Sequence, residues 1–218
     1  MAPEFSVART QNPLGVLEGK WQKNKNTSVK PLFDLLFHRH FDDEHAYHYE
    51  MFNTEGSFKH ALKRLGRQAG RHYVYIAAHG STKHIYGAGD APVRIKAVAS
   101  VLDELADEGA VLHGIYFGTC YAGSEETARM LLRSDAADRV QLQWVAGYPG
   151  NADWGASYAI DGYFWDRYLD RLITLQPRAA LDAAVADLRE MMPGAHIVGG
   201  FDVFVRDRAG GVKSLLSA

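Results

Sequence analysis

The chain has 218 residues, 47% of them hydrophobic and 23% charged, which supplies enough apolar surface for a substantial core. With Lys+Arg at 24 and Asp+Glu at 26 the net charge is -2, so the chain has neither the basic excess of a nucleic-acid binder nor an acidic solvating tail. No apolar run approaches the ~18 residues of a membrane span. The start Met1-Ala-Pro-Glu-Phe-Ser6 lacks a signal peptide's basic beginning, and one cysteine cannot form an internal disulfide, so a cytoplasmic location is expected.

Residues 1–13 read as an N-terminal arm, broken by Pro3 and Pro13, ahead of one domain over 14–218. Leu14–Trp21 is a weak first strand, interrupted by Glu18, Gly19 and Lys20. Ser28 is placed to N-cap a helix with Leu32, Leu35 and Leu36 on one face. Ala46–Phe52 alternates loosely as a second strand, Asn53–Ser57 is a turn, and Phe58, Leu62 and Leu65 mark a short amphipathic helix.

Tyr73–Ala78 is an apolar run of strand length that ends at His79-Gly80. Ser81–Asp90, with Gly87 and Gly89, is a loop or small hairpin, and it lacks the three-glycine spacing of a dinucleotide-binding turn. Val98, Val101, Leu102 and Leu105 follow helical spacing until Gly109. Val111–Phe117 is the next strand, leading to Cys120, and Ser124-Glu-Glu opens a helix with acids in its first turn. Arg133–Asp138 is a polar loop, and Leu142–Ala146 a further strand closed by Gly147–Asn151.

Tyr158, Gly162, Trp165, Leu169 and Leu172 line a long helix, and Pro177 starts another that ends at Pro193-Gly194. Phe201–Arg206 closes the domain as the last strand. Strands alternating with helices predict a three-layer α/β/α sandwich around a mostly parallel sheet.

Two of these strands deliver a reactive side chain at the carboxyl end, where open α/β sheets place their sites. Cys120 supplies a sulfur nucleophile, and His79 a base able to take its proton and return it to a leaving amine. The backbone N–H groups of Gly80 and Cys120 are the candidate oxyanion donors. Ser81, Tyr148 and Asp153, in loops after strands, are the candidate substrate-binding residues.

This layout resembles the caspase-like (clan CD) cysteine peptidases. The 41-residue step from His79 to Cys120 is similar to the roughly 50 of caspases. Gly118-Thr-Cys-Tyr-Ala-Gly123, the loop Gly147–Asp153, the aromatic stretch Tyr163–Leu169 and Gln176-Pro-Arg-Ala-Ala-Leu181 follow one another as in the bacterial CHAT-type branch. The resemblance covers about residues 70–206. It implies a peptide or protein substrate, a thioester intermediate and no cofactor, with room for a regulatory protein partner. Metacaspases carry an aspartate two residues before the cysteine to bind a basic side chain. Here that position is Gly118, which leaves Asp153 as the candidate acidic floor.

The densest histidine group is His38, His40, His45 and His48 with Asp42 and Asp43. Its spacing matches no familiar zinc site, and no metal is expected. A rival architecture is an α/β-hydrolase, in which Gly118-x-Cys120-x-Ala122 forms the elbow, followed by Asp153 or Asp161 and then His196. A third reading is a catalytically silent interaction module. The two enzyme readings separate on a histidine: His79→Ala is expected to abolish peptide hydrolysis while His196→Ala leaves it intact, and the reverse result selects the hydrolase order.

Overall fold

Alternation along the strands sorts apolar side chains onto two faces of one sheet, and separate helices cover each face. The computed structural model describes residues 14–20, 27–43, 46–68, 73–207 and 210–216; the expected arm at 1–13 and Trp21 lie outside these. The elements in chain order are β1 (Leu14–Gly19), α1 (Lys30–Phe41), β2 (His48–Phe52), α2 (Glu55–Gly66) and β3 (Tyr73–Ala77). There follow β4 (His79–Gly80), β5 (His84–Tyr86), β6 (Pro92–Arg94), α3 (Lys96–Asp107), β7 (Gly114–Gly118), α4 (Glu125–Leu132) and α5 (Asp135–Arg139). The last are β8 (Trp144–Gly147), α6 (Trp154–Leu172), α7 (Pro177–Met191), β9 (Asp202–Arg206) and β10 (Val212–Ser214).

The main sheet has seven strands in the order β10-β9-β8-β7-β3-β1-β2. Strands β2, β1, β3, β7 and β8 are parallel, while β9 and β10 add antiparallel to one side, giving the expected mostly parallel α/β/α sandwich. Leu14, Val16, Tyr73, Tyr75, Tyr116 and Trp144 form one core with α1, α6 and α7. Leu17, Val74, Ile76, Ile115, Phe117 and Val145 form the other with α2 to α5. Gly114 faces Trp144 across the β7–β8 rung, and a Cβ there would lie 2.1 Å from the indole, so the small residue makes room for the large one. No helix among the described residues is long and apolar enough to cross a membrane.

Several elements differ from the sequence reading. Of the two readings of Ser81–Asp90 the hairpin holds, since β4 and β5 pair across residues 81–83, and β6 extends them beyond 90 to a second, three-stranded antiparallel sheet. The polar stretch 133–138 holds most of α5, capped by Ser134, whose side chain accepts from the N–H of Ala137. The chain does not end its sheet at β9, because β10 pairs with it. Helix α1 starts at Lys30 rather than directly after Ser28, although the Ser28 hydroxyl still accepts from the Lys30 N–H at 3.1 Å.

Glu18, which made β1 look weak, is buried on the α1 side and fully engaged there. It accepts from Tyr49 Oη at 2.6 Å, Ser28 Oγ at 2.8 Å and the Val29 N–H at 3.1 Å. Burial, then the bond to Glu18, pushes the Tyr49 phenol up, so it remains a donor. One carboxylate thereby fastens the 28–29 segment and β2 to β1. Removing an acceptor that serves several buried donors costs on the order of 2–4 kcal/mol. Glu18→Ala is expected to lower stability by about that much in urea unfolding, with Glu18→Gln losing less.

Candidate active site

Register brings the two reactive residues together. β3 and β7 are hydrogen-bonded neighbours, with Ala77 opposite Gly118 on their last shared rung. His79 and Cys120 each lie two residues beyond that rung, at the carboxyl end of the sheet. After Ala78 the chain leaves the main sheet, and β4 holds His79 opposite Tyr86 of β5. Beyond β7 the chain turns tightly: the Ala122 N–H donates to the Cys120 carbonyl at 2.9 Å, and Tyr121 sits at φ 64, a left-handed conformation uncommon for a non-glycine residue.

Gly80 is a glycine because of this turn. A Cβ there would lie 2.2 Å from the Cys120 carbonyl oxygen, so β4 packs its backbone directly on the cysteine's peptide. The sulfur itself lies against the loop after β8. Sγ is 3.5 Å from Asn151 Oδ1 and 3.7 Å from the Ala152 carbonyl, and it receives the Ala152 N–H at 3.5 Å.

Cys120 and His79 line one cleft of about 340 Å³. Its walls include Val29, Trp154 and Tyr158, and its floor is Asp161 with Tyr75 and Tyr148. Trp154 and Tyr158, one turn apart on α6, pack ring to ring with centroids 5.1 Å apart. Asp161 is only 3% exposed and accepts from three phenols: Tyr75 at 2.5 Å, Tyr148 at 2.7 Å, and Tyr116. Burial raises its carboxyl to about 6, against the opposing pull of those three hydrogen bonds. Burial also pushes all three phenols up, so they stay protonated donors.

This floor explains Gly118. A Cβ at that position would lie 2.1 Å from Tyr75 Oη, so the space that an acid two residues before the cysteine would occupy is filled by the tyrosine that bonds Asp161. The carboxylate of the cleft comes instead from α6.

Of the other sequence candidates, Tyr148 lines the cleft, through the ring whose hydroxyl bonds Asp161. Asp153 is not the floor: it is exposed and N-caps α6, accepting from the Ala156 N–H at 3.0 Å, because a carboxylate at a helix start finds an orphan donor beside it. Ser81 stays outside the cleft lining, its hydroxyl accepting from the His84 N–H at 3.1 Å within the β4–β5 turn. His196 is exposed in a short 3₁₀ turn and does not line the cleft. His45 lies outside the described residues; His40 bonds Asp166 at 3.0 Å, and His48 bonds Arg64 at 3.0 Å. No cluster of metal-binding side chains occurs among the described residues.

Tyr75 and Tyr116 have no place in the sequence reading, Asn151 enters it only as part of the loop Gly147–Asp153, and Asp161 only through the hydrolase alternative. One signal was legible: Asp161, Trp165 and Tyr168 share a helix face, which places an acid on an apolar stripe.

No family model and no curated protein matches this chain in sequence. Solved structures do match in fold. Gingipain R, an Arg-specific cysteine proteinase, aligns with TM-score 0.52 and 11% identity over 97% of this chain and 50% of its own. A complex of the pro- and mature domains of Porphyromonas gingivalis RgpB gives 0.52 and 12% over 97% and 51%. A secreted C11 cysteine protease from Bacteroides thetaiotaomicron, bound to an irreversible peptide inhibitor, gives 0.46 and 11% over 89% and 66%. The chain spans about half the length of the two gingipain chains. It shares the caspase-like fold of the two gingipain chains.

The raised carboxyl of Asp161 makes stability depend on pH in a defined direction. Between about pH 4 and 6 the folded state keeps a proton that the unfolded chain releases, so stability falls as pH rises through that window. A shift of about two units corresponds to roughly 3 kcal/mol. Asp161→Asn is therefore expected to gain about that much, relative to wild type, in the difference between urea stabilities at pH 7 and pH 4. A variant whose stability changes with pH as wild type does would refute this.

Proposed function

We propose that the chain is a cysteine endopeptidase of the CHAT-type branch, in which Cys120 is the nucleophile and His79 its acid–base partner. The observation that carries this is the β3–β7 register, which sets both residues at the rim of one cleft. A thiolate that has lost its proton to His79 attacks the scissile carbonyl, and the Gly80 and Cys120 N–H groups stabilise the oxyanion. His79 then returns the proton to the leaving amine, and water hydrolyses the resulting thioester. No cofactor takes part. A reducing compartment such as the cytoplasm keeps the single thiol free.

The cleft also suggests the substrate. Trp154, Tyr158 and Asp161 follow i, i+4, i+7 on α6, from the cleft wall to its floor. A long side chain with a cationic tip would lie along the rings and end on the carboxylate, which favours arginine or lysine at the cleaved position.

A positional peptide library tests both parts. Wild type is expected to cleave after Arg or Lys, and Cys120→Ala and His79→Ala each to lose about 10³-fold or more in kcat/KM. Asp161→Asn is expected to lose the basic preference while Cys120 stays reactive. Cleavage that persists in Cys120→Ala removes the proposal.

A further inference from the structure

The sulfur of Cys120 touches groups of opposite character. Two acceptors, Asn151 Oδ1 and the Ala152 carbonyl, suit an S–H, whereas one donor, the Ala152 N–H, suits a thiolate. The loop that carries them is fixed from both sides. The Tyr121 N–H, from the cysteine turn, donates to the Gly150 carbonyl at 3.1 Å, and the Gly150 N–H donates to the Gly199 carbonyl at 2.8 Å. Gly199, at φ 60, leaves no room for a side chain, since a Cβ would lie 2.9 Å from that of Ala152. The Ala152 peptide is thus held against the sulfur, and Asn151, exposed at the cleft rim, has the one adjustable group of the set.

We propose that Asn151 is a catalytic residue that serves both protonation states of Cys120, accepting from the thiol through Oδ1 and donating to the thiolate through Nδ2. The two ends of a carboxamide have nearly the same shape, so a half-turn about χ2 exchanges acceptor for donor without moving the loop. When the proton leaves the sulfur for His79, the rotated amide joins the Ala152 N–H as a second donor, and a hydrogen bond to the charged form favours it. Once the sulfur is acylated it carries no charge, and both donors are released. This role rests on Cys120 being the nucleophile, but it concerns the ionisation of the sulfur and is measurable without a substrate.

The single cysteine makes the test direct, because alkylation by iodoacetamide reports one thiol. The rate is followed from pH 5 to 10 in wild type, Asn151→Ala, Asn151→Asp and Asn151→Gln, with folding checked by urea unfolding. Tyr75, His79, Tyr148, Tyr158 and Asp161, the other titratable groups of the cleft, are the same in all four. Asn151→Ala is expected to react about tenfold more slowly than wild type near pH 6.5 and equally fast near pH 10, where every thiol is ionised. Asn151→Asp, with a carboxylate beside the sulfur, is expected to be slower still at pH 6.5, and Asn151→Gln to recover part of the loss. Alanine and aspartate variants that follow the wild-type curve overturn the proposal, as does a deficit of equal size at every pH, which would mark a change in access alone. A peptidase reading that failed for want of any cleavage would leave these curves unaltered.

Discussion

The cleft depends on one buried carboxylate. Asp161 of α6 takes hydrogen bonds from Tyr75 on β3, Tyr116 on β7 and Tyr148 just past β8, so three neighbouring segments of the sheet are tied to one point on one helix. A charge at such depth persists only where donors replace its hydration. The three phenols do so, and they also stack into the aromatic core, Tyr75 on Tyr116 at 5.1 Å between centroids. Polar and apolar demands are met by the same side chains, which fixes both the position and the rotation of α6 beneath the cysteine turn.

Around that point the backbone is brought unusually close. Gly80 lies on the Cys120 peptide, and Gly118 gives way to a tyrosine ring. Neither glycine is there for suppleness: each marks a place where a methyl group would collide with a neighbour already committed elsewhere. The strained φ of Tyr121 belongs to the same arrangement, holding the turn that presents the sulfur to the loop after β8.

How much of this was legible in the sequence follows from how local each signal is. That Cys120 and His79 share one cleft could be read because each follows an apolar strand, and those two strands are neighbours in a parallel sheet. Asp153 sits in a loop where sites are common, but the helix α6 begins at the next residue and its side chain serves as that helix's N-cap. Asp161 was harder to see, since its three partners lie 86, 45 and 13 residues away and nothing in its neighbourhood announces them. The short strands β4, β5, β6 and β10, of two or three residues each, are too brief to show a period. Glu18 looked like a break in β1 because the groups that solvate it come from another element and another strand.

The strand order has a consequence for how the molecule is made. Neighbours in the parallel part of the sheet, such as β1 and β3 or β3 and β7, are joined through whole intervening helices. The cleft takes residues from four separate stretches between Thr27 and Asp161. Contacts between such distant parts of a chain carry a large loop-closure entropy and form late, so folding is expected to be slow for the molecule's size. Cys120 and His79 would then meet at one cleft only after the sheet has closed, and a partly folded chain would hold thiol and imidazole apart.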